Sequence, residues 1–213
     1  MKKLLIIGAG GLGREVAQYV KDINQIKPSF ELLGFIDSDP DKKNICFDNV
    51  PVLGDFNELK DQLNSVEPIY GFCAVAKPEI KRRLVQKMED YKIQSVNIIH
   101  PASYVSPQVK IGKGVLISPY CTLTTNIIIG DYVHINPQSG IGHDSRIGAF
   151  STLYWSVNIS GNVTVEEGVE IGSKAFVKQG LTIEKNAVIG AGAVVVHSVK
   201  EGKIVVGVPA KEL

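Results

Sequence analysis

Cysteine is scarce in this chain: 213 residues hold only Cys46, Cys73 and Cys121, far apart, with no CxxC pair and no histidine at ligand spacing. An odd, scattered set excludes a disulfide framework and a thiolate zinc site, and it fits a reducing cytoplasm. Charge of one sign is also missing. Lysine and arginine number 23 against 22 acids, a formal charge of +1, so no global field draws the chain to nucleic acid or to a membrane surface. Nor is there an apolar run approaching the roughly 20 residues of a transmembrane helix. The opening MKKLLII has the lysines of a secretory leader, but its four apolar residues end at a glycine and a charged helical pattern follows. It reads as a buried first strand.

What is present is apolar content, 44% of residues, ample for real cores, arranged in two textures. Residues 1–98 alternate strand and helix patterns. Strands are expected at Leu4 to Ile7, Leu32 to Ile36, Tyr70 to Val75 and Ser95 to Ile99. Helices are expected over Arg14 to Ile23, with Val16, Val20 and Ile23 on one stripe, around Leu59 and Leu63, and from Pro78 through Glu79 to Met88. Asp39 to Asn49 and the PVLGD that follows read as turn-rich. This is a small βαβ unit with a parallel sheet, about half a full dinucleotide-binding domain.

Residues 99–213 carry a period of six. Val105, Ile111, Ile117, Leu123, Ile129, Ile135, Ile141, Ile147, Leu153, Ile159, Val165, Ile171, Val177, Ile183, Ile189 and Val195 are aliphatic without exception. Two residues earlier stands a small side chain at Cys121, Ser139, Ser145, Ser151, Ala175 and Ala187. One residue later stands glycine at 112, 130, 142, 148, 172 and 190, read here as permissive turn backbone. Neither a helix of period 3.6 nor an ordinary strand of period 2 repeats this way. A triangular solenoid does, with one hexapeptide per face and 18 residues per coil.

The period, together with GAGGLGRE, FIDSDP, IGHD, SGNV and the terminal GVPA, resembles the hexapeptide-repeat acyltransferases, and within them the sialic acid O-acetyltransferase and nucleotide-amino-sugar N-acetyltransferase family. The resemblance covers essentially the whole chain. It implies a Rossmann-like α/β N-terminal domain that holds the nucleotide of the acceptor, followed by a left-handed parallel β-helix. It further implies acetyl-CoA as acyl donor, no metal, and a homotrimer with active sites between neighbouring β-helices.

His143, two positions after Ile141 at a solenoid corner, matches the family's catalytic histidine. A neutral imidazole suits a general base that takes a proton from the acceptor amine or hydroxyl. Asp144 matches an acidic residue that holds or polarises the histidine, the alternative being a solvated turn carboxylate. Gly161 is 18 residues after His143, the same corner one coil later; the resemblance gives its N–H to the thioester carbonyl, as acyl-donor contact and oxyanion donor, and the alternative is a silent turn glycine. Asn136 matches a position facing the acceptor, though an inward asparagine completing a backbone ladder is an equal reading. Thr152 departs from a second histidine common in the N-acetyltransferases and is assigned to the acceptor pocket, where Tyr154 and Trp155 shape the site or cover a trimer seam. His100, His134 and His197 receive no chemical role, although His197 near the end of the solenoid suits coenzyme A contact.

In the first domain Gly8, Gly10 and Gly13 form GxGxxG after a strand and at a helix start, with Gly11 extending the loop. The resemblance makes this a nucleotide-sugar binding turn. Leu12 departs from a family histidine. Asp37 and Ser38 resemble residues that hold the uracil end of a uridine nucleotide, the alternatives being a carboxylate that receives ribose or guanine donors and a helix or turn cap. The leading expectation is N-acetylation of a nucleotide-linked amino sugar for bacterial surface glycans. Sugar or sialic acid O-acetylation is the enzymatic rival, and a non-catalytic nucleotide-sugar scaffold is the alternative outside catalysis.

Overall fold

The computed structural model describes residues 1–59 and 68–213, which form two compact units, Met1–Ile98 and Ile99–Leu213. Among the described residues no helix is long and apolar enough to cross a membrane, and no group of three or more His, Cys, Asp or Glu is placed to hold a metal ion.

In the first unit β1 (Lys2–Ile7) buries Leu4 through Ile7 almost completely. A strand buried on both faces needs such a continuous apolar run, and it lies at the centre of the sheet, between β2 (Phe30–Ile36) and β5 (Tyr70–Cys73), both parallel to it. Helix α1 (Gly11–Ile26) begins three residues before the expected Arg14 and turns Gly13, Val16, Ala17, Tyr19 and Val20 inward. Helix α2 (Pro78–Asp90) starts on proline, whose fixed φ and missing N–H suit the first turn.

Two elements of the first unit differ from the sequence reading. The turn-rich passage contains an antiparallel hairpin of β3 (Cys46–Phe47) and β4 (Val50–Gly54), so the sheet, which runs β3-β4-β2-β1-β5 and ends on the strand Gln94–Ser95, has one antiparallel edge. Asp48 and Asn49 make its two-residue turn with φ of 48° and 63°, the pair of left-handed residues a tight hairpin requires. The last expected strand divides into β6 (Gln94–Ser95) and β7 (Ile98–Ile99). Of the helix expected around Leu59 and Leu63, Leu59 is buried in a turn and Leu63 lies outside the described residues.

The second unit is a parallel β-solenoid. From β8 (Tyr104–Val105) to β23 (Val194–Val195) two-residue strands recur every six residues, and the second residue of each is one of the sixteen aliphatics. They fall into three sheets in which each residue pairs with the one 18 positions on, as in Leu123, Ile141, Ile159 and Val177. Val105 and Ile111, in the first coil, are half-buried; the other fourteen are buried. Each such Ile, Leu or Val contributes about 1.5–3 kcal/mol relative to an exposed one.

The corners obey the same period but not at the expected glycines. Left-handed φ falls three residues after each aliphatic from Ile111 to Ile189, every sixth residue from Gly114 to Gly192, and ten of those fourteen positions are not glycine. From Tyr132 onward their N–H groups reach back 19 residues to the previous coil, as Asp144 to Thr125 O (3.1 Å) and Asn162 to His143 O (2.7 Å). The glycines one residue after the aliphatics have ordinary φ and serve close approach instead. A Cβ on Gly142 would stand 2.6 Å from the Gly161 nitrogen, and one on Gly130 2.7 Å from that of Ala149.

The small residues two before the aliphatics clip coils together. Ser145 Oγ donates to Ser160 O (3.1 Å) and accepts from Val163 N–H (3.2 Å); Ser139 and Ser151 repeat this with Tyr154 O and Val157 N–H, and with Glu166 O and Val169 N–H.

Candidate active site

His143 lies at the corner between β14 (Gly140–Ile141) and β15 (Arg146–Ile147), with its side chain about half exposed. The aliphatic position points in and the chain turns three residues later, so a residue between them projects from the edge of the prism. Asp144 is the left-handed residue of this corner, φ 62°. That geometry brings two sequence neighbours to one side, and His143 Nδ1 meets Asp144 Oδ2 at 2.7 Å.

The other carboxylate oxygen, Oδ1, accepts a 2.6 Å hydrogen bond from Asn126 Nδ2. Asn126 is 18 residues before Asp144, at the same corner of the preceding coil. Donation by Asn126, then by His143, holds the Asp144 carboxyl below the usual carboxylate range. An ionised carboxylate only accepts, so Nδ1 donates to it, and in the neutral imidazole Nε2 then keeps its lone pair.

Nε2 lies against Gly161. A Cβ at Gly161 would stand 2.5 Å from Nε2 and 2.6 Å from Cε1, so only glycine lets the ring lie there. Gly161 O accepts from Gly180 N–H at 3.2 Å, whereas its own N–H makes no backbone hydrogen bond among the described residues. One corner therefore places imidazole Nε2 beside an uncommitted amide donor, the pair that acyl transfer to an amine or hydroxyl needs.

The remaining assignments divide. Asn136 is buried and its Nδ2 donates to Leu153 O at 3.0 Å, the ladder arrangement; the structure does not turn it towards an acceptor. Thr152 is fully buried in β16 (Thr152–Leu153), on the one of the three sheets that does not flank the His143 corner, so within a chain it does not join His143. Tyr154 donates to Glu170 Oε2 at 2.9 Å, and burial, then Glu170, pushes its hydroxyl up to about 12. Trp155 is exposed at a different corner, and His134 is fully buried. His197 stands at the His143 corner three coils on, beside a cavity of about 190 Å³ that Lys200 and Lys203 also line.

In the first unit the glycines have separate tasks. Gly8 has φ +105° at the end of β1, and a Cβ on Gly13 would overlap the Gly8 carbonyl oxygen, so Gly13 seats α1 on the strand. Gly10 and Gly11 face open space. Asp37 Oδ2 accepts from Ala9 N–H (2.8 Å) and Lys42 Nζ (3.3 Å), and Oδ1 from Asp39 N–H (3.0 Å). Asp37 thus ties the glycine loop to the end of β2. Burial raises its carboxyl, but these donors together outweigh burial and hold it below the usual range.

Beyond the carboxyl ends of the parallel strands, where α/β sheets bind ligands, opens a cleft of about 380 Å³ lined by Gly8, Asp37, Ser38, Asp55, Arg83 and Lys87. Gly10, Gly11 and Gly13 do not line it. Two cationic residues at i and i+4 of α2 do, and that spacing on a helix opening after a strand was their sequence signal. Asn126 was legible in the same manner, through the 18-residue offset from Asp144.

Comparison with known proteins agrees with this architecture. Residues 3–88 match the family described as PglD N-terminal domain. The chain is 33% identical over 212 residues to GDP-perosamine N-acetyltransferase of Escherichia coli O157:H7, covering 95% of this chain and 81% of that protein. PerB from Caulobacter crescentus, solved with CoA and GDP-perosamine, superposes with a TM-score of 0.91 at 30% identity, covering 100% of this chain and 98% of that one. The acetyltransferase domain of PglB from Neisseria gonorrhoeae, solved with acetyl coenzyme A, gives 0.89 at 29% identity, covering 100% and 99%. A glycine-loop α/β unit, a hexapeptide solenoid and an acid-held corner histidine thus stand in a chain matched along most of its length by these relatives, and the chain belongs to the hexapeptide-repeat acyltransferases, close to the nucleotide-sugar N-acetyltransferases.

Proposed function

We propose that the protein is an acetyl-CoA-dependent N-acetyltransferase that acetylates the amine of a nucleotide-linked amino sugar, GDP-perosamine or a close analogue, in bacterial surface glycan synthesis. The observation that carries this reading is the corner where His143 Nδ1 is held by Asp144 and Nε2 lies against Gly161. The likeness to enzymes solved with CoA and GDP-perosamine supports the donor and the acceptor class.

His143 Nε2 accepts a proton from the acceptor amine as its nitrogen bonds to the thioester carbon. Gly161 N–H donates to the carbonyl oxygen as negative charge gathers there. When the carbon–sulfur bond breaks, the imidazolium returns the proton to the departing thiolate, giving the amide and free coenzyme A, with His143 neutral again. Asp144 stays ionised and supports the imidazolium.

The cleft of the first unit, with Arg83 and Lys87 on one wall and Asp37 and Ser38 on another, holds the nucleotide, its two cations suiting a diphosphate. Gly8 contributes to that cleft, while Gly10 and Gly11 leave the start of α1 open to an anionic group. The protein works as a cytoplasmic homotrimer, since the active corner is open in a single chain and a neighbouring solenoid would enclose it.

The test is acetyl-CoA consumption with GDP-, UDP- and dTDP-linked 4-amino sugars and free sialic acids, products identified by mass. Turnover of one nucleotide amino sugar with a single added acetyl on nitrogen supports the reading. Turnover restricted to a hydroxyl sugar overturns it in favour of O-acetylation.

A further inference from the structure

We propose that Asn126 is a positioning residue for the reaction: by holding one oxygen of Asp144 it aims the other at His143 Nδ1 and fixes the tautomer that leaves Nε2 free. The inference rests on His143 being the general base and adds a residue from the preceding coil to that site.

Three observations carry it. The contact is short and charge-assisted, Asn126 Nδ2 to Asp144 Oδ1 at 2.6 Å, and it uses the oxygen that His143 does not. Asp144 and His143 are both about half exposed, so burial does not fix the carboxylate. Its side chain would otherwise rotate about χ1 and χ2, and a rotated carboxylate leaves Nδ1 to water and the imidazole in either tautomer. Finally, the partners sit on rigid ground. Asp144 N–H donates to Thr125 O at 3.1 Å, so the two corners are locked in register and the side chains need only bridge one coil spacing.

The corner also explains why asparagine serves. Position 126 has φ 55°, where a side chain is tolerated best when it is asparagine, aspartate or none. Of these only asparagine donates to a carboxylate at neutral pH. Aspartate would set one carboxylate against another, and glycine would leave Oδ1 to solvent.

The same conformation supplies clean variants. N126G removes the amide without backbone strain, and N126D keeps the shape but reverses the interaction. With both substrates saturating, kcat of N126G is expected to fall between about 10-fold and 100-fold, the scale of a misplaced catalytic group, with the acetyl-CoA KM changed by less than about twofold. N126D is expected to be slower than N126G. In ¹⁵N spectra of the histidine rings, His143 of the wild-type protein should show a protonated Nδ1 and a bare Nε2, and N126G a mixture of tautomers. Thermal melting reports the fold of each variant.

H143N separates the two ideas. If H143N is inactive while N126G keeps wild-type kcat or a single tautomer, the positioning role is overturned and the base stands. If H143N remains active, the base reading fails, and a single His143 tautomer in N126G would then overturn the role of Asn126 as well. Wild-type turnover by N126D would equally overturn it.

Discussion

The imidazole of His143 rests on Gly161, one coil away, so closely that a single methyl group on that glycine would come within 2.5 Å of Nε2. Gly161 has no left-handed φ, so alanine there costs no backbone strain, and the strain falls on the ring. G161A should therefore melt within a few degrees of the wild-type protein while losing about 100-fold in kcat. Its amide N–H survives, so an unaltered rate would show that ring placement is unimportant and that the glycine is merely a turn.

Removal of the base is the larger insult. H143A should lower kcat by about 10² to 10⁴, the contribution of a positioned general base, with acetyl-CoA still protecting the protein against heat. Turnover within a few-fold of wild type would rule out His143 as the base.

The serine clips make a prediction about stability rather than rate. S145A strands the carbonyl of Ser160 and the N–H of Val163 in a buried setting, at a cost of about 1–3 kcal/mol. Urea unfolding should show the loss, and S145C, with a weaker donor and acceptor, should fall between alanine and wild type.

Asp37 links the glycine loop to pH. Its folded carboxyl lies below its unfolded value, so its stabilisation is complete above the ordinary aspartate range near 4 and disappears as pH falls through the folded value. D37N should be less stable than wild type at pH 7, and the gap in melting temperature should close as pH drops below about 4. A gap constant with pH would mean the carboxylate charge is not what Ala9 and Asp39 respond to.

How legible was this in the chain? The solenoid was almost wholly so, because an aliphatic at every sixth position admits one packing, and Val105 to Val195 are the inward residues of successive strands. His143, Asp144 and Gly161 came together as their spacing suggested. The glycines after the aliphatics were given the wrong cause, since a sequence shows a missing side chain but not whether backbone rotation or a neighbouring coil demanded it. Thr152 is a different case: which of three faces a residue occupies must be counted from the corner, and the count sets it apart from His143 within one chain. Arg83 and Lys87 were passed over because a basic helix face ordinarily means solvent. The Asp48–Asn49 hairpin was hidden because two left-handed residues in a row look like any polar turn.

The 18-residue coil gives this protein an arithmetic. Residues that differ by a multiple of 18 share a column, so His143, Gly161, Gln179 and His197 stand on one edge of the prism at roughly 4.8 Å per step. The working distance along that edge is consequently written as a number of residues, and it changes only in whole coils. Loss or gain of one coil between Gly161 and His197 would move the far end of the edge by a single step while leaving the reacting corner untouched. Reach and chemistry can then vary independently, as the length of a ruler varies without redrawing its first mark.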